Sequence, residues 1–160
     1  MPERTYTWHD PSEIAEAAGK RAGLDVLRAM ADGTLPPAPI GSMVGMEVES
    51  VEEVVVVFAL EPATFQYNPI GSVHGGIYAT LLDSACGCAV HSTLPAGTGY
   101  TSLDLSVKFL RRIDVDTGRV RCTGWVVHAG GRTALARAEI TDERGRLLAE
   151  ATSSCLILRP

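Results

Sequence analysis

The sequence lacks both a long apolar run and a basic surface pattern. Lys and Arg total 14 against 19 Asp and Glu, which gives a net charge of −5. Nucleic-acid-binding domains carry a basic patch or stripe, so we expect no nucleic-acid partner. A membrane-spanning helix needs about 20 apolar residues, so we expect no membrane partner either. The opening residues Met1-Pro2-Glu3-Arg4 do not resemble a secretory signal, which favours a cytoplasmic protein.

Cysteine is also scarce, and its spacing is not that of a zinc site. The Cys86-Gly87-Cys88 segment is one residue short of the usual Cys-x-x-Cys pair, and Cys122 and Cys155 stand alone. All four lie in apolar strings, which indicates buried free thiols. The histidines are scattered, so we expect no metal. A nucleophilic Cys86 assisted by His91 is an alternative, although nothing indicates a lowered thiol pKa.

The composition fits one globular domain that follows a helical segment. The 160 residues are 46% hydrophobic and 21% charged, which is enough for a sizeable core. Apolar residues recur at mostly helical spacing from Pro11 to about Ala31, interrupted by glycines that favour two pieces, and a stiff Pro36-Pro37-Ala38-Pro39 segment follows. We therefore divide the chain into a helical extension with a Pro-rich linker, residues 1–40, and a domain, residues 41–160.

The second part of the chain predicts an α+β fold with an antiparallel sheet. Strands at 43–51 and 53–60 precede a long apolar helix that ends near Thr93. Four strands follow the helix, the first marked by alternating apolar and polar side chains, at 103–109, 118–129, 132–141 and 146–158. Strands and helices do not alternate, so nothing indicates a parallel sheet.

The most unusual stretch leads into the apolar helix. Turn dipeptides at Asn68-Pro69 and Gly71-Ser72 are followed by Gly75-Gly76 at the helix start. Glycines there leave the first backbone N–H groups bare, and the helix dipole adds partial positive charge. Such a helix start can stabilise the oxyanion of an acyl transfer. The alternative is a tight turn without a ligand.

Asp83 is a poor helix former in the middle of this helix. It follows Gly76 by seven residues, so the two residues project from nearly the same face, roughly 10 Å apart along the axis. One reacting group cannot touch both. If they share a site, Asp83 must come from a second, antiparallel copy of the helix. The alternative is that Asp83 lies on a solvated face.

The pattern of Asn68, the His74-Gly75-Gly76 triplet and Asp83 resembles the hotdog-fold acyl-CoA thioesterases of the phenylacetate-degradation, or PaaI-like, branch. The order of elements resembles that family over residues 43–158. The resemblance implies a hotdog fold, an antiparallel β-sheet wrapped around a long central helix. It implies hydrolysis of an aromatic or medium-chain acyl-CoA, with coenzyme A as part of the substrate and no separate cofactor. It also implies a homodimer or homotetramer with sites at the subunit interface.

The same resemblance implies roles for the motif residues. The thioester carbonyl oxygen would lie at the Gly75 and Gly76 N–H groups, and His74 would brace this loop. Asp83 would act as general base on water, or attack directly to form a mixed anhydride. In some relatives a helical extension precedes the domain, where it would cover the sheet edge or the acyl pocket.

Other assignments from the resemblance have equally plausible structural alternatives. Asn68 would position the thioester or the water, or else serve only as a turn residue. Ser102 would orient the water, or else lie on an outward strand face. Four basic residues would attract the phosphates of coenzyme A, although surface cations are usually just solvated. These residues are Lys108, Arg111, Arg112 and Arg132.

Two other functions compete with a thioesterase. Enoyl-CoA hydratases share the fold, but their Asp/His motif lies in a loop pattern that this chain lacks. A non-catalytic acyl-CoA-binding or sensing protein would keep the pocket and lose the carboxylate. The presence of Asp83 and the absence of a DNA-binding segment favour the hydrolase.

Overall fold

A computed structural model describes all 160 residues and begins with three helices. These are α1 (Ser12–Lys20), α2 (Gly23–Ala31) and α3 (Pro39–Val44). The predicted helical stretch is therefore two helices, as its internal glycines indicated. Pro39 begins α3 because a proline at the first helical position sacrifices no intrahelical hydrogen bond. The end of the predicted linker and the start of the predicted first strand are thus helical.

The first two strands, β1 (Met46–Glu52) and β2 (Val55–Leu60), form an antiparallel hairpin. The hairpin was predicted, but its first strand begins at Met46 rather than at residue 43. Val54 in the turn has a φ of 66°, which β-branched residues rarely adopt. Its N–H donates to the Ser92 hydroxyl at 2.9 Å, and its carbonyl accepts from the Val126 N–H at 3.0 Å. These contacts hold the turn in its strained conformation.

The remaining strands surround the long helix α4 (Gly75–His91). They are β3 (Gly99–Ser102), β4 (Ser106–Phe109), β5 (Val120–Ala129), β6 (Thr133–Thr141) and β7 (Leu147–Leu158). All pairings are antiparallel in the order β1-β2-β5-β6-β7-β3, and β4 also pairs with β7. The predicted antiparallel sheet around a central helix, with an N-terminal helical extension, is confirmed.

The core lies between α4 and the sheet. Leu81, Leu82 and Ala85 of α4 are almost fully buried. A Cβ atom added to Gly124 of β5 would lie 2.2 Å from the Ala85 carbonyl oxygen, so only glycine allows this approach of strand and helix. No helix, α4 included, has the length and apolar composition needed to cross a membrane.

The segment at 103–109 is not one half-buried strand, as predicted, but a break followed by β4. The Asp104 carboxylate accepts the Ser154 N–H at 3.1 Å, and the backbone carbonyl of Asp104 accepts the Ser153 hydroxyl at 2.9 Å. This side chain replaces regular strand pairing and separates β3 from β4. The sheet therefore has seven strands rather than six. Leu103 and Phe109 are 57% and 58% exposed at its open edge.

Candidate active site

The first turn of α4 leaves one backbone donor free. His74 precedes the helix, and its Nδ1 accepts the Gly76 N–H at 2.9 Å. The Gly75 N–H has no acceptor within the chain. The prediction that both N–H groups are bare is therefore wrong for Gly76, because a capping side chain satisfies one of the open donors. His74 thereby braces the helix start.

Asn68 organises the loop that leads into α4. Its Oδ1 accepts the N–H groups of Ile70 at 3.1 Å and Ser72 at 3.3 Å, and its Nδ2 donates to the Ser72 hydroxyl at 3.1 Å. Hydrogen bonds from asparagine to its own loop are typical of turns. The structure thus gives Asn68 a turn role, while a contact with substrate stays a prediction.

A cavity of about 280 Å³ lies beside Gly75 and is also lined by Asn68. The Phe109 ring packs against Gly75, since a Cβ atom added to this glycine would lie 3.3 Å from the ring. This ring packs edge-on against Tyr78, with the centroids 5.5 Å apart. Phe109 is absent from the predicted site, because alternation along a strand does not say which helix residue a strand side chain meets.

Asp83 lies farther along α4 and contacts Ser102 of β3. The Ser102 hydroxyl donates to Asp83 Oδ1 at 2.8 Å, and the other carboxylate oxygen has no partner within the chain. Asp83 is half-buried and Ser102 is exposed. An oriented carboxylate with a free oxygen is suited to accept a proton from water. The structure thus brings together two residues that were predicted to act on the same water.

Asp83 and Ser102 also line a cleft of about 1140 Å³. Fourteen of its 25 lining residues precede Met43, most of them within residues 30–42, and β1 contributes Met46 and Val48. The resemblance offered pocket cover as one of two roles for the extension, and the linker itself is marked in the sequence only by its proline cluster. Proline content indicates a stiff segment but not the surface against which that segment packs.

One chain does not bring the two halves of the predicted site together. Gly75 and Asp83 line separate cavities. They are eight residues apart on α4, which corresponds to about 12 Å along the helix axis. No single reacting group reaches the free N–H of Gly75 and the carboxylate of Asp83 in the same copy.

Two of the four predicted phosphate-binding residues lie near Gly75. Arg111 and Arg112 line the same cavity. Arg112 donates to the Gly71 carbonyl at 2.8 Å and forms an ion pair with Asp114 at 3.1 Å. The loop before α4 is therefore tied to the segment that follows β4.

The other two predicted phosphate-binding residues lie elsewhere in the chain. Lys108 is paired with Glu150 across β4 and β7, and both line a different cavity together with Trp125. Arg132 lies in the exposed turn between β5 and β6, where its carbonyl accepts the Ile157 N–H at 2.9 Å. A single copy therefore does not gather the predicted cations around Gly75.

The cysteines do not provide a nucleophile. Cys86 is fully buried, and burial raises its pKa to about 12. Cys88 is affected in the same way, so both remain neutral thiols near neutral pH. The structure contains no group of three or more His, Cys, Asp or Glu side chains that could hold a metal ion.

Comparison with known proteins identifies the family. The model of the Thioesterase superfamily matches residues 70–149, half of the chain. The 1,4-dihydroxy-2-naphthoyl-CoA hydrolase of Listeria monocytogenes is 28% identical over 105 residues, which cover 66% of this chain and 84% of that protein.

Solved structures agree at the level of the fold. The PaaI protein of the E. coli phenylacetic acid degradation operon has a TM-score of 0.71 at 21% identity, with 81% of this chain and 91% of that chain covered. A phenylacetic acid degradation-related protein of Ralstonia eutropha JMP134 has a TM-score of 0.73 at 24% identity, with coverage of 81% and 98%. The predicted resemblance is thus confirmed, and the chain is a thioester hydrolase that belongs to the thioesterase superfamily.

Proposed function

We propose that this protein hydrolyses an acyl-CoA thioester at a site shared by two copies of the chain. The Gly75 N–H would come from one copy, and Asp83 with Ser102 from the other. The hydrogen bond between Ser102 and Asp83 carries the proposal, because it orients a carboxylate beside a cleft large enough for an acyl group. The relation to a naphthoyl-CoA hydrolase supports an aromatic acyl-CoA, and a medium-chain acyl-CoA is the other candidate.

The open edge of the sheet supports a second copy. Strands β3 and β4 present unpaired backbone at this edge, beside the exposed side chains of Leu103 and Phe109. Exposed apolar edges favour pairing with another strand. A twofold axis at this edge would set the two α4 helices antiparallel and bring Gly75 of one copy toward Asp83 of the other.

The proposed reaction uses water, the Gly75 N–H and the side chains of Asp83 and Ser102. The Gly75 N–H donates to the thioester carbonyl oxygen and stabilises its developing negative charge. Asp83 takes a proton from a water held by Ser102, and the water oxygen forms a bond to the carbonyl carbon. The carbon–sulfur bond then breaks, and the proton passes to the thiolate of coenzyme A. Direct attack by Asp83, followed by hydrolysis of the anhydride, would use the same residues.

The phosphates of coenzyme A require cations outside the reacting centre. Arg111 and Arg112 are proposed for this role because both are exposed beside the Gly75 cavity. Lys108 and Arg132 remain predictions as phosphate contacts, since neither lies near Gly75 of its own copy.

Replacing the carboxylate tests the proposal. Asp83→Asn should lower kcat by a factor of about 10²–10⁴ because it removes the proton acceptor, while acyl-CoA binding is retained. Thiol release from phenylacetyl-, 4-hydroxybenzoyl-, hexanoyl- and palmitoyl-CoA measures the effect, and Asp116→Asn on an exposed turn is the matched control. Wild-type turnover in Asp83→Asn would refute the assignment. Tight binding without thiol release by the wild-type protein would instead favour the acyl-CoA sensor.

A further inference from the structure

We infer that residues 30–42 form the wall of the acyl pocket and select substrates whose acyl group carries no negative charge. This inference rests on the proposed function and adds the specificity of the same site. Residues 30–42 and the Asp83–Ser102 pair line one continuous cleft of about 1140 Å³. An acyl group whose carbonyl carbon lies at Asp83 would therefore extend along the N-terminal extension.

The apolar part of the lining suits the body of an acyl group. Small-molecule pockets commonly measure about 300–1,000 Å³ and are mostly apolar with a few polar groups. Here the extension contributes Met30, Leu35 and Ile40, and the sheet contributes Val48 and Phe58. These side chains would bury an aliphatic chain or an aromatic ring.

The charged part of the lining has only one sign. Four of the lining residues are acidic, Glu13, Asp32, Glu47 and Asp83, and none is lysine or arginine. Glu47 is already paired with Arg119 at 2.6 Å, whereas Glu13 has no ion-pair partner. A carboxylate on the acyl group would lose hydration there without gaining a cation. Among the lining residues only His9, which is exposed, has a basic side chain.

The wall is held in place by contacts from the chain terminus. The Arg4 guanidinium donates to the carbonyls of Ser42 at 2.8 Å and Met43 at 2.5 Å. It also lies 3.9 Å from the centroid of the Phe65 ring, a cation–π contact. A wall with a fixed position can discriminate between acyl groups by size as well as by charge.

Filling the cleft tests the size of the acyl group. Ile40→Trp should lower the ratio of kcat/KM for hexanoyl-CoA to that for acetyl-CoA at least about tenfold, because the longer chain loses its space. Val127→Trp, at an exposed aliphatic position outside the cleft, should leave this ratio unchanged. An unchanged ratio in Ile40→Trp would overturn the assignment of the wall.

The wild-type protein itself tests the charge selectivity, so the result does not depend on the folding of a variant. The kcat/KM for hexanoyl-CoA should be at least about tenfold higher than that for adipoyl-CoA, which carries a terminal carboxylate on a chain of the same length. Glu13→Lys should reduce the ratio of the two kcat/KM values, whereas Glu53→Lys, in the exposed β1–β2 turn outside the cleft, should not. Equal wild-type turnover of the two would overturn the inference and leave the proposed function standing. Failure to hydrolyse any acyl-CoA would overturn both.

Discussion

At the residue scale, the backbone nitrogen of Gly75 is the proposed source of electrophilic stabilisation. Gly75 is the first helical residue of α4, where an N–H makes no intrahelical hydrogen bond. Proline is well tolerated at this position, and the extended backbone of His74, with ψ at 139°, is compatible with a following proline. The donor can therefore be deleted without breaking the helix.

Gly75→Pro should lower kcat by a factor of about 10²–10³, the usual cost of losing one oxyanion donor. Gly75→Ala is the matched control, because it adds the same contact to the Phe109 ring but keeps the N–H. Thiol release gives the rate, and thermal unfolding verifies that both variants fold. If the two variants were equally active, the Gly75 N–H would have no role in the reaction.

At this scale the sequence shows unusual residue types but not their contacts. The glycine pair stood out because it leaves backbone N–H groups open at a helix start, and Asp83 stood out because aspartate is a poor helix former. The use of the Gly76 N–H by His74 depends on a side-chain rotamer, which spacing does not reveal. The contact between Ser102 and Asp83 depends on where β3 lies along α4, a tertiary arrangement.

At the scale of elements, His91 lies where α4, α2 and β3 meet. A Cβ on Gly23 of α2 would lie 1.9 Å from the His91 carbonyl oxygen, so α2 packs closely against this end of α4. The His91 ring packs against Tyr100 of β3, with the centroids 5.6 Å apart. Burial lowers the pKa of His91 below its ordinary value of 6.5, because the charged ring would lose hydration.

This burial predicts a loss of stability in mild acid. The folded state holds His91 neutral, so the unfolded state binds more protons once the pH falls below 6.5. The free energy of unfolding therefore decreases as the pH falls from 6.5 to the lowered pKa of His91 in the folded state. His91→Phe should weaken this dependence while keeping an aromatic ring against Tyr100. Urea unfolding between pH 7.5 and 5.5 measures it, with His128→Gln at an exposed position as control. An unchanged pH dependence in His91→Phe would contradict the prediction.

Elements with strong periodicity or punctuation were predictable, and those set by a single side chain were not. The bounds of α4, β5 and β6 were predicted nearly correctly. The apolar run marked α4, and the Gly130-Gly131 turn marked the junction between β5 and β6. The break between β3 and β4 depends on the Asp104 side chain, which takes the Ser154 N–H from the strand ladder. Helix α3 was mistaken for linker and strand because six residues are too few to show a period.

At the scale of the whole molecule, the proposed site requires two copies of the chain. In one chain the free N–H of Gly75 and the carboxylate of Asp83 line separate cavities. The open β3–β4 edge offers a surface on which a second copy could complete both sites by symmetry. Light scattering should accordingly give at least twice the 17.0-kDa mass of the chain. A fully active monomer would contradict the shared site.

Complementation between two inactive variants tests the shared site most directly. Gly75→Pro and Asp83→Asn would be co-expressed with different affinity tags, and hybrid dimers would be isolated by sequential capture. Each hybrid would contain one site with both lesions and one intact site, so thiol release should recover to about half the wild-type rate per dimer. If each site lay within a single chain, every site in the hybrid would carry a lesion. A hybrid as inactive as its parents would therefore contradict the shared site.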